Sequence, residues 1–459
     1  MQLNRVFIVF FSLVIAAYVS MQIDARTYEV ISLFLASYFL LNFIDSIGKT
    51  YNVLDIPVLL GLFQLLLMPM VVYRVYNNEY FVQDLYYDMS VSEEMYYSFM
   101  LPAILMMIAG MKLQLKRGNW QTNSIQRALQ SSKEYLKGRS NLGMLLMIVG
   151  FVSGFLEIFI PGELKYVAYL FGKLLFVGVF YILFSDFKSK QIYLAAGIGA
   201  LLLQALVQGM FGELIFTLLL GALLYLLGKK ISFGTKMVIA IVGATFVLLL
   251  QSIKAEYRAV AWYGKGAEEQ TNTQAFFSLL GKRIQDPSMF FDRYTMFPTV
   301  NRFNQGMIQG KVMAYVPDQR PYAGGSTIFT SLAASFIPRL LWPDKPMAGG
   351  HWNMEFFTGF IVEGYSMNVG PFGESYGNFG ATGGILFMFL YGLFFNVAIF
   401  ALLRLSKKRP TLILWFPILF LNSIQVETDI LMTVNSLIKN SIFIWFCYWA
   451  AHRFLRLKL

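Results

Sequence analysis

An all-α polytopic membrane protein, crossing the bilayer about twelve times and carrying one large loop on the outer side, is the fold the sequence predicts. Three features point to it. Of the 459 residues, 57% are hydrophobic and only 14% charged, where a soluble domain carries roughly 25% charge. Apolar runs recur along the chain at about 20 residues each, the length that crosses a hydrocarbon core as a helix. Lys and Arg gather in alternate short connections.

The runs, each bounded by charge or turn residues, fall near 4–22, 28–46, 53–73, 96–112, 142–160, 166–186, 191–209, 213–228, 236–253, 380–403, 411–426 and 431–451. The first is expected to stay as a span. Its apolar stretch runs from Val6 to Met21, no small-residue cleavage site follows, and a second run begins at once. Connection 112–139 holds Lys112, Lys116, Arg117, Arg127, Lys133, Lys137 and Arg139 against the single acid Glu134. Further basic turns are Lys188/Lys190, Lys229/Lys230/Lys236, Arg404/Lys407/Lys408/Arg409 and Arg453/Arg456/Lys458. Twelve alternating spans put all of these on one side, so the positive-inside rule makes both termini cytoplasmic. The net charge of +11 is then a topological signal, and the expected partner is the lipid bilayer rather than nucleic acid.

This divides the chain into spans 1–9 over 1–253, a large extracytoplasmic loop over 254–379, and spans 10–12 over 380–459. The loop is nearly neutral and rich in Arg, Gly, Pro and aromatics, which is not the composition of disorder. It is expected to fold against the membrane domain. Its apolar stretch 326–342 is interrupted by Pro338 and Arg339, so it reads as a re-entrant or interface-lying helix.

Chemistry concentrates in that loop. Arg339, followed by Trp342, Pro343, Asp344, Lys345 and Pro346, is a guanidinium on a stiffened turn, suited to bidentate bonds with phosphate oxygens. It also suits an interfacial anchor, with Trp342 in an aromatic belt. Lys254 and Arg258 lie one helical turn apart just past the ninth run, as a second cationic pair or a basic helix end. Arg283, Arg293 and Arg302 are expected to pair with Asp286 and Asp292. Glu374 lies in the Gly-rich stretch 365–384, expected as a compact loop, with Tyr376 and Asn378 nearby. As a partly desolvated carboxylate it could act as general base, or simply charge the start of span ten. His351 beside Gly350 could accept a proton from a sugar hydroxyl. Trp342, Asp344, Tyr376 and Asn378 are candidates for lining the cavity. Glu157, Lys173, Glu213 and Lys439 are costly charges inside spans, and Glu427 and Asp429 share the last outer turn.

Other chemistries are missing from the sequence. Cys447 is the only cysteine, and His351 and His452 are the only histidines. No outer DxD-type pair, Walker loop, dinucleotide fingerprint or nucleophile elbow is present, so neither metal nor cofactor is expected.

The segments KAEYR (254–258), IPRLLWPDKP (337–346) and NVGPFGESYGNFGATGG (368–384), in that order before three final spans, resemble the oligosaccharide repeat-unit polymerases of the Wzy type, which build O-antigen and exopolysaccharide. Arg339 to Gly350 fits that family's Arg-x10-Gly spacing. The resemblance covers mainly 250–390, and the family's usual pair of Arg-rich outer loops is here mostly one long loop. It implies a multi-span, GT-C-like architecture in the bacterial cytoplasmic membrane and a metal-independent, inverting glycosyltransferase. Such an enzyme moves a glycan from undecaprenyl diphosphate onto a fresh lipid-linked repeat unit, alongside a flippase and a chain-length regulator. On that reading Arg339, Arg258, Lys254 and Lys345 hold diphosphates, and Glu374 or His351 activates the acceptor hydroxyl. An O-antigen ligase has a similar outer loop. A lipid-linked oligosaccharide transporter would instead show two repeat-related halves.

Overall fold

A computed structural model describes residues 5–457 and 459, apart from 85–86, 116–119, 158, 162, 209–210, 264–271, 291, 338, 340, 348 and 362–366. Every regular element among these residues is helical. Nine of the described helices are long and apolar enough to cross a membrane: Arg5–Ile23, Thr27–Ser46, Asp55–Tyr76, Glu93–Lys112, Lys165–Phe184, Lys190–Val207, Phe233–Lys254, Gly370–Ser406 and Ile430–Phe454. The protein is thus an all-α chain with the composition and helix lengths of a membrane protein. Phe211–Leu226 and Pro410–Phe420 are apolar but shorter.

The expected basic loop 112–139 is largely a helix, Trp120–Leu136, meeting the apolar Ser140–Leu156 helix at a 96° bend. Its Ser124, Ile125, Ala128, Leu129, Ser132 and Leu136 are buried at i, i+4 spacing, while Arg127 and Lys137 face out. Ser132 Oγ donates to Pro410 O at 2.7 Å and ties that helix to the start of the Pro410–Trp415 helical turn. Lys116 and Arg117 lie outside the described residues.

The core centres on helix Glu93–Lys112 against the long Gly370–Ser406 helix. Asn396 sets their register by donating to Gly110 O at 3.3 Å and Leu113 O at 2.7 Å. A buried amide in apolar surroundings must find such acceptors, so these bonds specify one alignment.

Segment 254–379 is not an open loop. Phe233–Tyr263 continues unbroken through Lys254 and Arg258, so both sit on a helix. Helices Asn272–Gln285, Arg293–Phe303, Gly306–Tyr315, Ser326–Phe336 and His351–Thr358 follow. From Gly370 on, the Gly-rich stretch expected as a loop is also helical. It opens the Gly370–Ser406 helix, which breaks at Gly380 (φ 67°, ψ −171°). That conformation is closed to residues with a Cβ, and a Cβ here would sit 3.2 Å from the Tyr322 ring. The carbonyls stranded by the break find donors. Ala323 N–H reaches Gly377 O at 3.0 Å, and Gly324 N–H reaches Asn378 O at 2.9 Å. Residues before the break form a half-helix in which Gly370 through Asn378 are all buried.

Candidate functional site

The apolar stretch 326–342 forms the Ser326–Phe336 helix and a turn beyond it. Small and polar residues, Thr327, Ser331, Ala334 and Ser335, are buried, and the helix packs on Ile430–Phe454. Phe329 and Phe336 are 75% and 70% exposed, and Leu341 in the turn is 76% exposed. A patch of this kind rarely faces water.

Arg339 lies in that turn, half-buried, held by its own chain: Nη1 donates to Pro343 O at 2.8 Å and Nη2 to Lys345 O at 3.2 Å. Lys345 folds back, donating to Ala334 O at 2.8 Å and Ile337 O at 2.6 Å, which are carbonyls at the end of the preceding helix. Lys439, on the last helix, stands within Coulombic reach of both. Burial and then the neighbouring Arg339 push the Lys345 ammonium below its ordinary value. Among the described residues no carboxylate forms an ion pair with any of the three. Three cations thus lie within Coulombic reach of one another, and two of them are held by backbone carbonyls of the same turn and the helix before it.

The sequence points to Arg339 and Lys345, and to Lys439 only as a costly charge in a span. The usable signal for Lys439 is that cost itself, since a cation inside a span needs a partner. Its Nζ also sits 4.7 Å above the Tyr166 ring.

The second cationic group does assemble. Buried Lys254 has half-buried Arg258 one turn on, with Arg302 in reach of its charge and Glu427 supplying an opposing one. Arg302 Nη2 lies 3.6 Å from Glu427 Oε1. This group therefore carries its own acid. The expected pairings of the loop arginines are corrected: Arg302 takes Glu427, Arg283 takes Glu256 at 2.9 Å, and Arg293 takes Glu79. Asp286 and Asp292 serve local turns instead, accepting from Ser288 N–H at 3.1 Å and Thr295 N–H at 2.7 Å. Short-range backbone donors outcompete a long, flexible arginine there.

Glu374 is not at a water boundary. It has no exposed surface, and Oε1 accepts the Ile430 N–H at 2.7 Å. Asn353 faces it, and Asp429 stands within Coulombic reach. Asp429, 1% exposed, caps the last helix by accepting Met432 N–H at 2.5 Å and also accepts from Gly350 N–H. Burial pushes its carboxyl up to about 6. Asn378 and Tyr376 are both buried. Asn378 Nδ2 donates to Thr327 Oγ1 and Glu374 O, both at 2.7 Å, and Oδ1 accepts Gly325 N–H at 3.0 Å. The Tyr376 ring lies edge-on to Phe99, 5.0 Å between centroids. The half-helix buries these side chains, where a loop would have left them outside.

Trp342 is half-buried and Asp344 exposed, both on the Arg339 turn. His351 is exposed and opens the His351–Thr358 helix. Gly350 before it holds φ 86°, and a Cβ there would run into Met367 O. The Arg-x10-Gly spacing thus ends on a position only glycine can occupy. Arg320 is a fastener, its guanidinium 3.5 Å above the Phe356 ring and Nη1 bonded to Phe356 O at 3.3 Å. Two of the other intramembrane charges pair with each other: Lys173 Nζ is 3.4 Å from Glu213 Oε1, and Tyr169 Oη donates to Glu213 Oε2 at 3.1 Å.

No curated protein and no solved structure matches the chain. A family model described as a domain of unknown function, DUF8712, matches residues 120–401. That span takes in Arg339, Lys345, His351 and Glu374 and stops short of Asp429 and Lys439. With well over half its length matched, the chain belongs to the DUF8712 family.

Proposed function

We propose that the protein joins undecaprenyl-diphosphate-linked oligosaccharide repeat units at the outer face of a bacterial cytoplasmic membrane, as a metal-independent glycosyltransferase. The observation that carries this reading is the Arg339–Lys345–Lys439 group, none of whose members forms an ion pair among the described residues, bordered by exposed Phe336 and Leu341. Its two features match the two parts of a lipid diphosphate. The cations meet the headgroup charge, and the apolar border meets the chain. Twelve spans are reached by adding the shorter apolar helices Ser140–Leu156, Phe211–Leu226 and Pro410–Phe420 to the nine long ones. Lys/Arg asymmetry then puts both termini in the cytoplasm and the cationic turn outside.

In the reaction, an acceptor sugar hydroxyl attacks the anomeric carbon of the donor glycan. The bond from that carbon to the diphosphate oxygen breaks, and the hydroxyl proton passes to a base. Negative charge grows on the departing diphosphate, and fixed cations at a low-dielectric boundary stabilise it more than water would. His351 is exposed, and Gly350 fixes it at the head of its helix, so this reading assigns it as the base. Lys254, Arg258 and Arg302 are assigned to the second lipid-linked substrate.

Reconstitution with a synthetic undecaprenyl-diphosphate repeat unit, with product sizing in the presence and absence of chelator, tests the reading. Chelator-resistant elongation is the expected result. Intact substrate after incubation with folded protein defeats it.

A further inference from the structure

Four helix ends meet at a group of lysines that no substrate role above uses. The last turns of Trp120–Leu136, Lys165–Phe184 and Phe211–Leu226 and the first turn of Lys190–Gln208 border an open cavity of about 250 Å³. Lys133, Lys137, Lys190 and Lys229 line it, with Phe184 and Tyr225. Lys133 Nζ stands 5.7 Å from the centre of the Phe184 ring, and Lys229 Nζ 3.3 Å from that of Tyr225. The charges of Lys133, Lys190 and Lys229 all reach Tyr225. Asp186 is the one acid in the lining, and it accepts Gly138 N–H at 2.9 Å. Four lysines against one carboxylate leave the lining with a net positive charge. Among the described residues none of the four forms an ion pair.

Lysines near helix C-termini complement the helix dipole, and the positive-inside rule favours them in these connections. Both effects are met equally well by scattered lysines. Gathering like charges around one cavity is repulsive unless they share an anion, and the backbone here holds the gathering in place. Gly228, at φ 83°, donates its N–H to Gly48 O at 2.8 Å, and a Cβ at Gly48 would sit 2.7 Å from Lys229 O. The Lys229 turn is thus pressed against the turn that ends Thr27–Ser46. The Asp186–Gly138 bond likewise ties the turn after Lys137 to the one before Lys190.

We propose that this cavity binds a multiply charged phosphate group, either free as a small diphosphate or carried on a lipid headgroup with two phosphates. Its volume lies below the roughly 300–1,000 Å³ of pockets for drug-sized ligands, so it suits a headgroup better than a nucleotide. Ammonium groups meet phosphate as point charges on flexible stems, and several of them can share one polyanion. Apolar surface adjoins them: Tyr225 in the lining is 43% exposed, and Ile192, two residues past Lys190, is 71% exposed. Lys/Arg asymmetry assigns these connections to the cytoplasmic side, where basic pockets between spans recognise such headgroups. Phosphate binding here does not depend on the glycosyl-transfer reading.

The test is amine acetylation of the full-length protein in phosphatidylcholine nanodiscs, read lysine by lysine by mass spectrometry. Cardiolipin is added to the bilayer in one arm and sodium pyrophosphate to the buffer in the other. Labelling of Lys133, Lys137, Lys190 and Lys229 is expected to fall at least about fivefold with one of the two probes. Lys407 and Lys408, exposed in another basic turn, should change less than about twofold. Protection by cardiolipin alone identifies a lipid source, and protection by pyrophosphate a soluble one; either supports the site. Unchanged labelling with both probes overturns it. So does an equal fall at Lys407 and Lys408, the result of surface charge alone. The protecting probe should also raise the unfolding temperature of wild type. A folded variant combining Lys133→Gln, Lys137→Gln, Lys190→Gln and Lys229→Gln that keeps this rise overturns the site as well. Acetylation is read on the wild-type chain, so it decides the matter even where that variant does not fold.

Discussion

Glu374 accepts the backbone N–H of Ile430 at 2.7 Å, joining a buried half-helix to the first turn of the last helix across 56 positions of sequence. The bond satisfies one of the orphan donors at a helix start. It also explains why a carboxyl side chain is tolerated in a segment buried from Gly370 to Asn378.

If the Arg339–Lys345–Lys439 group holds a diphosphate as proposed, removing one cation should cost more than its charge, because the remaining two are spaced for a dianionic group. Arg339→Ala and Lys439→Ala are each expected to lower elongation by about 10²–10³-fold with the fold intact. Arg339→Lys should recover little, since one ammonium cannot replace a guanidinium that bonds both Pro343 O and Lys345 O. Product sizing on reconstituted variants measures this, and near-normal chain lengths in Lys439→Ala would remove it from the site.

Gly350→Ala combines a left-handed φ of 86° with a Cβ driven into Met367 O. The conformation alone costs about 1–2 kcal/mol, and the clash adds to it. The expected outcome is a marked drop in thermal unfolding temperature, whereas Gly138→Ala, with open space around it, should lose much less.

Asp429 titrates in the folded protein near 6 against an ordinary 3.8, because burial disfavours its charge. Between those values the folded state holds more proton than the unfolded one. This group's contribution to stability is therefore greatest below 3.8 and falls as pH rises to about 6, by roughly 1–3 kcal/mol, then stays level. Unfolding in mild detergent from pH 4 to 7 should show this decline in wild type and its loss in Asp429→Asn. A wild-type difference that grows with pH would contradict the burial account.

The Arg302–Glu427 pair is half-exposed, with side chains 45% and 27% accessible. A double-mutant cycle should give less than about 1 kcal/mol of coupling. On the proposed function its effect would lie in substrate affinity, so Glu427→Gln should alter the Michaelis constant for acceptor more than stability.

The helices were legible because length and hydropathy alone decide whether a segment is long and apolar enough to cross a bilayer. The Arg339 turn was legible too, since prolines and a tryptophan around an arginine limit what the chain can do locally. What stayed hidden depends on distant partners. Nothing near Gly380 in the sequence says that Ala323 and Gly324 would cap the carbonyls of Gly377 and Asn378. That pairing turned an expected loop into a helix and drew Glu374, Tyr376 and Asn378 inside. Lys439 stands in plain view as a charge among apolar residues, but its partners Arg339 and Lys345 come from another part of the chain.

Lys439 lies nine residues beyond Ile430, so it sits about 13 Å down the helix axis from the helix start. A water-borne nucleotide sugar has no reason to descend that far, because its base and ribose would have to leave the aqueous phase with it. A headgroup already tethered to an acyl-like chain arrives at that depth at no further expense. On the proposed function, the level of a single ammonium would work as a filter, admitting sugars by the anchor they carry before any sugar ring is inspected.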